Sequence, residues 1–209
     1  MAAPPTPRRI LSVAPLRQAW PTRVQVLDLG GGAHGIRARW EFGAESQLET
    51  YDLATGWDAL KDAWPKRPHQ VIFLNHVLEH VDDPDRLLDL AWAHCYQYES
   101  LLVLGTPNLA AWMNRLQLLA GYVPSPLELS RTHQVGKWGP LQETPLGGHR
   151  YVYTLPALLQ LMKLHGFKIR QVVGEASTAL PPWVRGIDRW IARTHPTLAS
   201  AVRVLATAQ

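Results

Sequence analysis

The chain has 209 residues, 46% of them apolar and 18% charged, with a net charge of +4. That length and hydrophobicity give one domain with a full core and exclude wholesale disorder. The single cysteine, Cys95, excludes a disulfide framework and a cysteine-ligated cluster, and with no run of 18 apolar residues a membrane span is not expected.

In chain order, residues 1–22 are rich in proline and alanine and read as an N-terminal arm. They lack the long apolar stretch of a signal peptide, so a cytoplasmic setting is expected. Val24–Leu29 predicts a strand, followed by the glycine turn Gly30-Gly31-Gly32 and by Gly35. Ile36 and Trp40 stand four apart, as on one face of a helix. Leu48–Leu53 predicts a second strand, and the unbroken apolar run Val71–Leu74 a strand buried on both faces. Asp82-Asp83-Pro84-Asp85 is a helix start, acids and proline both suiting the first turn. Leu87, Leu88, Ala91 and Cys95 then recur at helical spacing. Leu101–Leu104 predicts another strand, ended by Gly105-Thr106-Pro107. Thr154 caps a helix whose inner face is Leu158, Leu159, Met162 and His165, and Gly166 ends it. Phe167–Val173 and Ala201–Ala206 predict the last strands. The alternation gives an α/β fold: a Rossmann-like, doubly wound, mostly parallel sheet of seven strands, or one fewer, with helices on both faces.

Charge is uneven along this order. Residues 1–23 carry +4, residues 24–150 carry −5 and residues 151–209 carry +5. No run of Lys and Arg exceeds two residues, so nucleic acid is not expected as a partner. The basic ends leave peripheral contact with an anionic membrane open.

In such sheets ligands bind beyond the carboxyl ends of the strands. There the first strand brings Asp28 and the glycines, where backbone can approach a ligand without a clashing Cβ. A second acid follows about 20 residues on, as ribose recognition wants. Asp52 is preferred because it ends the second strand; Glu49 is the reserve. Gly30, Gly32 and Gly35 also fit the G-x-G-x-x-G spacing, so a nicotinamide-dependent oxidoreductase stays open. Asp28 beside the turn, however, repels a pyrophosphate and attracts a cationic ligand.

VLDLGGG together with VIFLNHVLEHVDDPDRLL resembles the class I S-adenosylmethionine-dependent methyltransferases, over roughly residues 22–175. The resemblance implies S-adenosyl-L-methionine as cofactor, held by Asp28, Gly30, Gly31, Gly32 and Asp52, with Asn75 and His76 near the reactive methyl. It makes Glu79 and His80 structural, tying the turn to the next helix. The stretch Gly148-His149-Arg150-Tyr151 resembles the branch acting on small molecules, glycans or lipids. In that branch the segment after the fifth strand, here about 108–150, covers the substrate. The domain then runs 23–209. Two departures stand out. His34 occupies the usual third glycine position, and only 18 residues separate Asp52 from Val71, so the third strand is reduced or missing. Asp58 is then the best candidate for the adenine-facing acid.

His76-Val77-Leu78-Glu79-His80 also reads H-x-x-E-H, an inverted zinc peptidase motif. That reading needs one helix through both histidines and a third ligand from Glu143 or Glu175; it is the least favoured, and no metal is assigned. Methyl transfer needs placement above all, plus a base where the acceptor arrives protonated. His76 is the first candidate base and His149 the second, with His133 after them. Trp112 and Trp138 lie in the cover, where packing competes with stacking on a ring. Trp183–Arg193 interleaves Trp183, Ile187 and Trp190 with three arginines, as in an interfacial helix or one docked on protein. The expected function is methylation of a small molecule or a glycan or lipid intermediate, by a monomer or homodimer. A non-catalytic protein of the same fold is the remaining alternative.

Overall fold

A computed structural model of the chain describes residues 23–32, 35–43, 45–138, 146–178 and 180–209. The N-terminal arm, His34 and Glu143 lie outside the described residues. Six strands form one sheet: β1 (Gln25–Leu29), β2 (Gln47–Tyr51), β3 (Val71–Asn75), β4 (Leu101–Pro107), β5 (Phe167–Glu175) and β6 (Ala201–Ala208). Their spatial order is β2-β1-β3-β4-β6-β5. β2, β1, β3 and β4 are parallel, while β6 runs antiparallel to both β4 and β5. The sheet order reverses direction beside β1 and β3, which places a crevice at their carboxyl ends.

Alternate residues of the central strands feed two cores. Leu27, Leu29, Ile72 and Leu74 meet Leu87, Leu88 and Cys95 of α2 (Pro84–Tyr98) and Leu158 and Met162 of α4 (Leu155–Leu164). Val26, Val71, Phe73 and Val103 meet Ala38 and Phe42 of α1 (Ile36–Phe42). Two-sided burial explains the continuous apolar runs of β3 and β4. α2 starts as the sequence predicts: the Asp83 carboxylate accepts from Arg86 N at 2.9 Å, with Pro84 in the first turn.

Three expectations change, and one, the reduced or missing third strand, holds. β4 continues through Gly105-Thr106-Pro107 because β6 pairs with all three residues. Between β2 and β3, the described chain forms a 3₁₀ turn (Leu53–Thr55) and further turns, but no strand. β2 is therefore the edge of the sheet, and Trp57 packs on Tyr51 at 4.9 Å. Trp40 faces outward under Arg37, 5.1 Å from its guanidinium, while Ala38 and Phe42 make the inner side of α1. His165 reaches Asp85 and Asp89 of α2 at 2.9 and 2.7 Å; those two carboxylates hold its pKa above the ordinary histidine value against partial burial.

Candidate active site

β1 places Asp28 level with Thr50 of β2 and Phe73 of β3. The glycine turn then folds back over its carboxyl group. A Cβ built on Gly31 would stand 1.9 Å from Asp28 Oδ2, and one on Gly30 would stand 2.3 Å from Val77 Cγ2. Gly30 also has φ of 81°, a left-handed conformation that favours glycine. Asp28 is 1% exposed and its Oδ2 has no hydrogen-bond partner. Burial, reinforced by the negative Asp52, raises its pKa to about 7, with Thr50 opposing. A half-ionised acid under bare backbone suits a cationic ligand.

Asp52 follows β2. One carboxylate oxygen accepts from Gly32 N at 2.8 Å and the other from Ala54 N at 2.7 Å, which aims the group at the turn and leaves each oxygen a further lone pair. Glu49 sits elsewhere, held by Arg67 at 2.5 Å, by His69 at 2.9 Å and by the Tyr51 hydroxyl. These bonds hold its pKa below the ordinary value against the opposing effect of burial. Asp58 lines the crevice, but its carboxylate is bound to Lys61 at 2.7 Å and to Leu60 N at 2.9 Å.

β3 ends in Asn75, whose buried Oδ1 has no partner and rests on Gly105. The next residue, His76, has φ of 57°, and its N–H donates to Gly105 O at 2.8 Å. This left-handed residue ends the strand and turns the His76 ring into the crevice. Its Nδ1 donates to Glu79 Oε1 at 2.9 Å, leaving Nε2 as the basic nitrogen. Glu79 is 1% exposed and also accepts from the Thr106 hydroxyl at 3.1 Å. Residues 77–80 form turns, not a helix, so the H-x-x-E-H zinc arrangement is absent. Its suggested third ligand Glu175 is bound to Arg37 and Arg203.

Together Gly30, Asp52, Trp57, His76, His80 and Arg150 line a cleft of about 540 Å³, within the range of small-molecule sites. A neighbouring cleft of about 550 Å³ is lined by Glu128, Arg131, His149 and Arg150. Arg150 therefore borders both. His149 Nδ1 donates to Pro126 O at 2.9 Å. His133 lies exposed on its loop, bonded to Thr132 at 2.8 Å. Trp112 donates from its indole to Asp188 at 2.7 Å, and Trp138 stacks on Tyr122 at 5.9 Å, so both pack as part of the protein.

Several residues here escape sequence reasoning. Trp57, five residues beyond Asp52, has only that nearness as a signal. Glu128 clamps the Gly147 and Gly148 amides at 2.5 and 3.0 Å across 19 and 20 residues, which no local pattern encodes.

A mostly parallel sheet with a glycine turn, an acid closing its second strand and a cleft beyond β3 define the Rossmann-like class of nucleoside-cofactor enzymes. The family model described as "Methyltransferase domain" matches residues 7–172, and the chain belongs to this methyltransferase family. No curated protein matches it. Among solved structures, an S-adenosylmethionine-dependent methyltransferase described as putative, from Listeria monocytogenes, is 15% identical (93% of this chain, 96% of that one, TM-score 0.50). PKMT2 from Rickettsia typhi is 13% identical (99% and 52%, TM-score 0.51). The small RNA methyltransferase HEN1 is 10% identical (93% and 24%, TM-score 0.56). These neighbours share the fold. S-adenosylmethionine is the cofactor, and the residues present fit it: a bare glycine cradle, a buried acid with one unpartnered oxygen and a second acid closing β2.

Proposed function

We propose that the chain methylates a small molecule or a glycan or lipid intermediate by in-line transfer from S-adenosylmethionine. The observation that supports this best is the convergence of Gly30, Asp52 and His76 on one cleft, with Asp28 buried beneath the glycine turn at its edge and a second cleft beside Arg150 for the acceptor. In this reading Gly30, Gly31 and Gly32 cradle the amino-acid end of the cofactor, and Asp28 answers its ammonium group. Asp52 accepts from the ribose hydroxyls, and Asn75 borders the reactive end. When bound, the cofactor would supply an electrophilic methyl on a positive sulfur, with the neutral thioether as leaving group. His76 Nε2 takes the acceptor's proton, while Glu79 fixes the tautomer and steadies the imidazolium. His149 is the second candidate for contact with the acceptor. Residues 108–150 are the substrate cover of a domain spanning 23–209.

No helix among the described residues is long and apolar enough to cross a membrane. α5 (Arg185–Thr194) nonetheless presents exposed Ile187 and Trp190, with Trp183 just before it and Arg185, Arg189 and Arg193 alongside. This favours an acceptor carried at an anionic lipid surface, reached from the cytoplasm. The test is a thermal-shift titration of the full chain with S-adenosylhomocysteine and with NAD, followed by radiolabelled methyl transfer to a cell extract. S-adenosylhomocysteine at 100 times its Kd adds about 2.7 kcal/mol, an effect expected to vanish in Asp52→Ala. A shift with NAD alone overturns the reading.

A further inference from the structure

Between the two clefts lies a cluster of three side chains that can ligate a metal. Glu79, His80 and His149 each bring one ligand atom within 4.8 Å of the others. They come from distant parts of the chain. Glu79 and His80 belong to the turn after β3, and His149 to the end of the proposed cover. The cover is held there by backbone: Arg150 N and Tyr151 N both donate to Glu79 O, at 2.8 and 3.2 Å. The His80 and His149 rings stand 4.9 Å apart.

The hydrogen bonds around the rings fix their chemistry. His80 Nδ1 faces Gly148 O at 3.3 Å and His149 Nδ1 faces Pro126 O at 2.9 Å. A carbonyl can only accept, so each Nδ1 carries the proton and each Nε2 keeps a lone pair. Backbone carbonyls behind a metal-binding imidazole do this same work of fixing tautomer and orientation. Glu79 is 1% exposed, its carboxylate accepts from His76 Nδ1 and the Thr106 hydroxyl, and among the described residues no lysine or arginine pairs with it. A buried carboxylate with two hydrogen bonds and no lysine or arginine partner favours a cation beside it.

We propose that Glu79, His80 and His149 bind one divalent first-row transition-metal ion. Two imidazoles and a carboxylate suit manganese, iron, cobalt or zinc better than magnesium, which prefers oxygen ligands. Ligands about 2.1 Å from an ion at tetrahedral angles stand about 3.4 Å apart, so binding draws the two rings inward. His80 borders the cofactor cleft and His149 the neighbouring one. The ion therefore has open positions where an acceptor oxygen would bind, and it would lower the pKa of that hydroxyl. This last role rests on the methyltransferase reading; the metal site itself does not.

The test uses the full chain freed of metal by a chelator. Calorimetry with Co²⁺, Mn²⁺, Zn²⁺ and Mg²⁺ is expected to show one site for the first three and at least tenfold weaker Mg²⁺ binding. The Co²⁺ form should show d–d absorption, and pulsed EPR of the Mn²⁺ form should show nitrogen coupling from two imidazoles. His80→Asn and His149→Asn should each weaken Co²⁺ at least tenfold without changing the melting temperature, while the remote His195→Ala binds normally. Undiminished binding in both histidine variants, or no binding by the wild type, overturns the proposal. S-adenosylhomocysteine binding measured on the same samples separates the two readings. Cofactor binding without metal binding defeats only the metal site, and metal binding without cofactor binding defeats only the methyltransferase assignment.

Discussion

Asp28 carries the sharpest consequence at the level of single residues. Its pKa is about 7 because burial and Asp52 both oppose the charged form. A cofactor bearing positive charge favours the ionised carboxylate, so binding releases a proton wherever Asp28 is still protonated. Affinity for S-adenosylmethionine should then rise about tenfold per pH unit below 7 and level off above it. Calorimetry between pH 5.5 and 8, in buffers of different ionisation enthalpy, reads both the affinity and the released proton. Asp28→Asn should bind weakly with no slope; an equal slope in that variant removes Asp28 from the site. The glycines above it leave no room for change, since even the smallest side chain at Gly31 meets the Asp28 carboxyl group.

Elements are joined by polar groups that hydropathy patterns do not reveal. Asp188 on α5 is fully buried and accepts from the Trp112 indole on α3 (Trp112–Leu119) at 2.7 Å, from Ser177 N at 2.6 Å and from the Ser200 hydroxyl at 3.2 Å. Asp188→Ala strands these donors and should cost about 3–5 kcal/mol in urea unfolding. A loss below 1 kcal/mol shows that water replaces the carboxylate. Lys137 is likewise buried, its ammonium donating to Pro124 O at 2.6 Å, Ser125 O at 2.9 Å and Leu127 O at 2.5 Å. Burial holds its pKa below the ordinary lysine value, with Glu128 opposing. Lys137→Met keeps the volume and leaves three carbonyls bare. The Val123 amide, bonded to Gly136 O at 2.7 Å, should then exchange at least tenfold faster while the sheet amides stay protected. Uniform exchange across the chain would assign Lys137 to global stability instead. β1, β3, α2 and α4 were legible in advance because periodicity, caps and glycine stops are local. Asp28, Asp52 and His76 were legible because they sit at strand ends beside a glycine turn. Asp188, Lys137 and the Arg203–Glu41 pair at 2.9 Å were not, because their partners lie across the fold and a buried charge looks like a surface one in sequence.

Across the whole molecule, two buried groups set opposing responses to acid. His94 on α2 is held neutral, its pKa lowered to about 4 by burial and then by neighbouring His69. The unfolded chain protonates His94 near its ordinary value, so its contribution is present above that value and is lost as pH falls towards 4. Asp28 works the other way. Its raised pKa makes the cofactor-free protein more stable as pH falls from about 7 towards the ordinary aspartate range, where the gain is complete. Each effect is on the order of 3 kcal/mol over this window, and their signs are opposite. In the cofactor-free wild type the two contributions therefore offset each other between pH 7 and 4.5. Asp28→Asn removes one side of the balance and should lose about 3 kcal/mol on acidification, while His94→Phe should gain a similar amount. Urea midpoints for the three proteins across that range decide the matter. Parallel profiles would mean that neither group titrates in the folded chain as its burial requires.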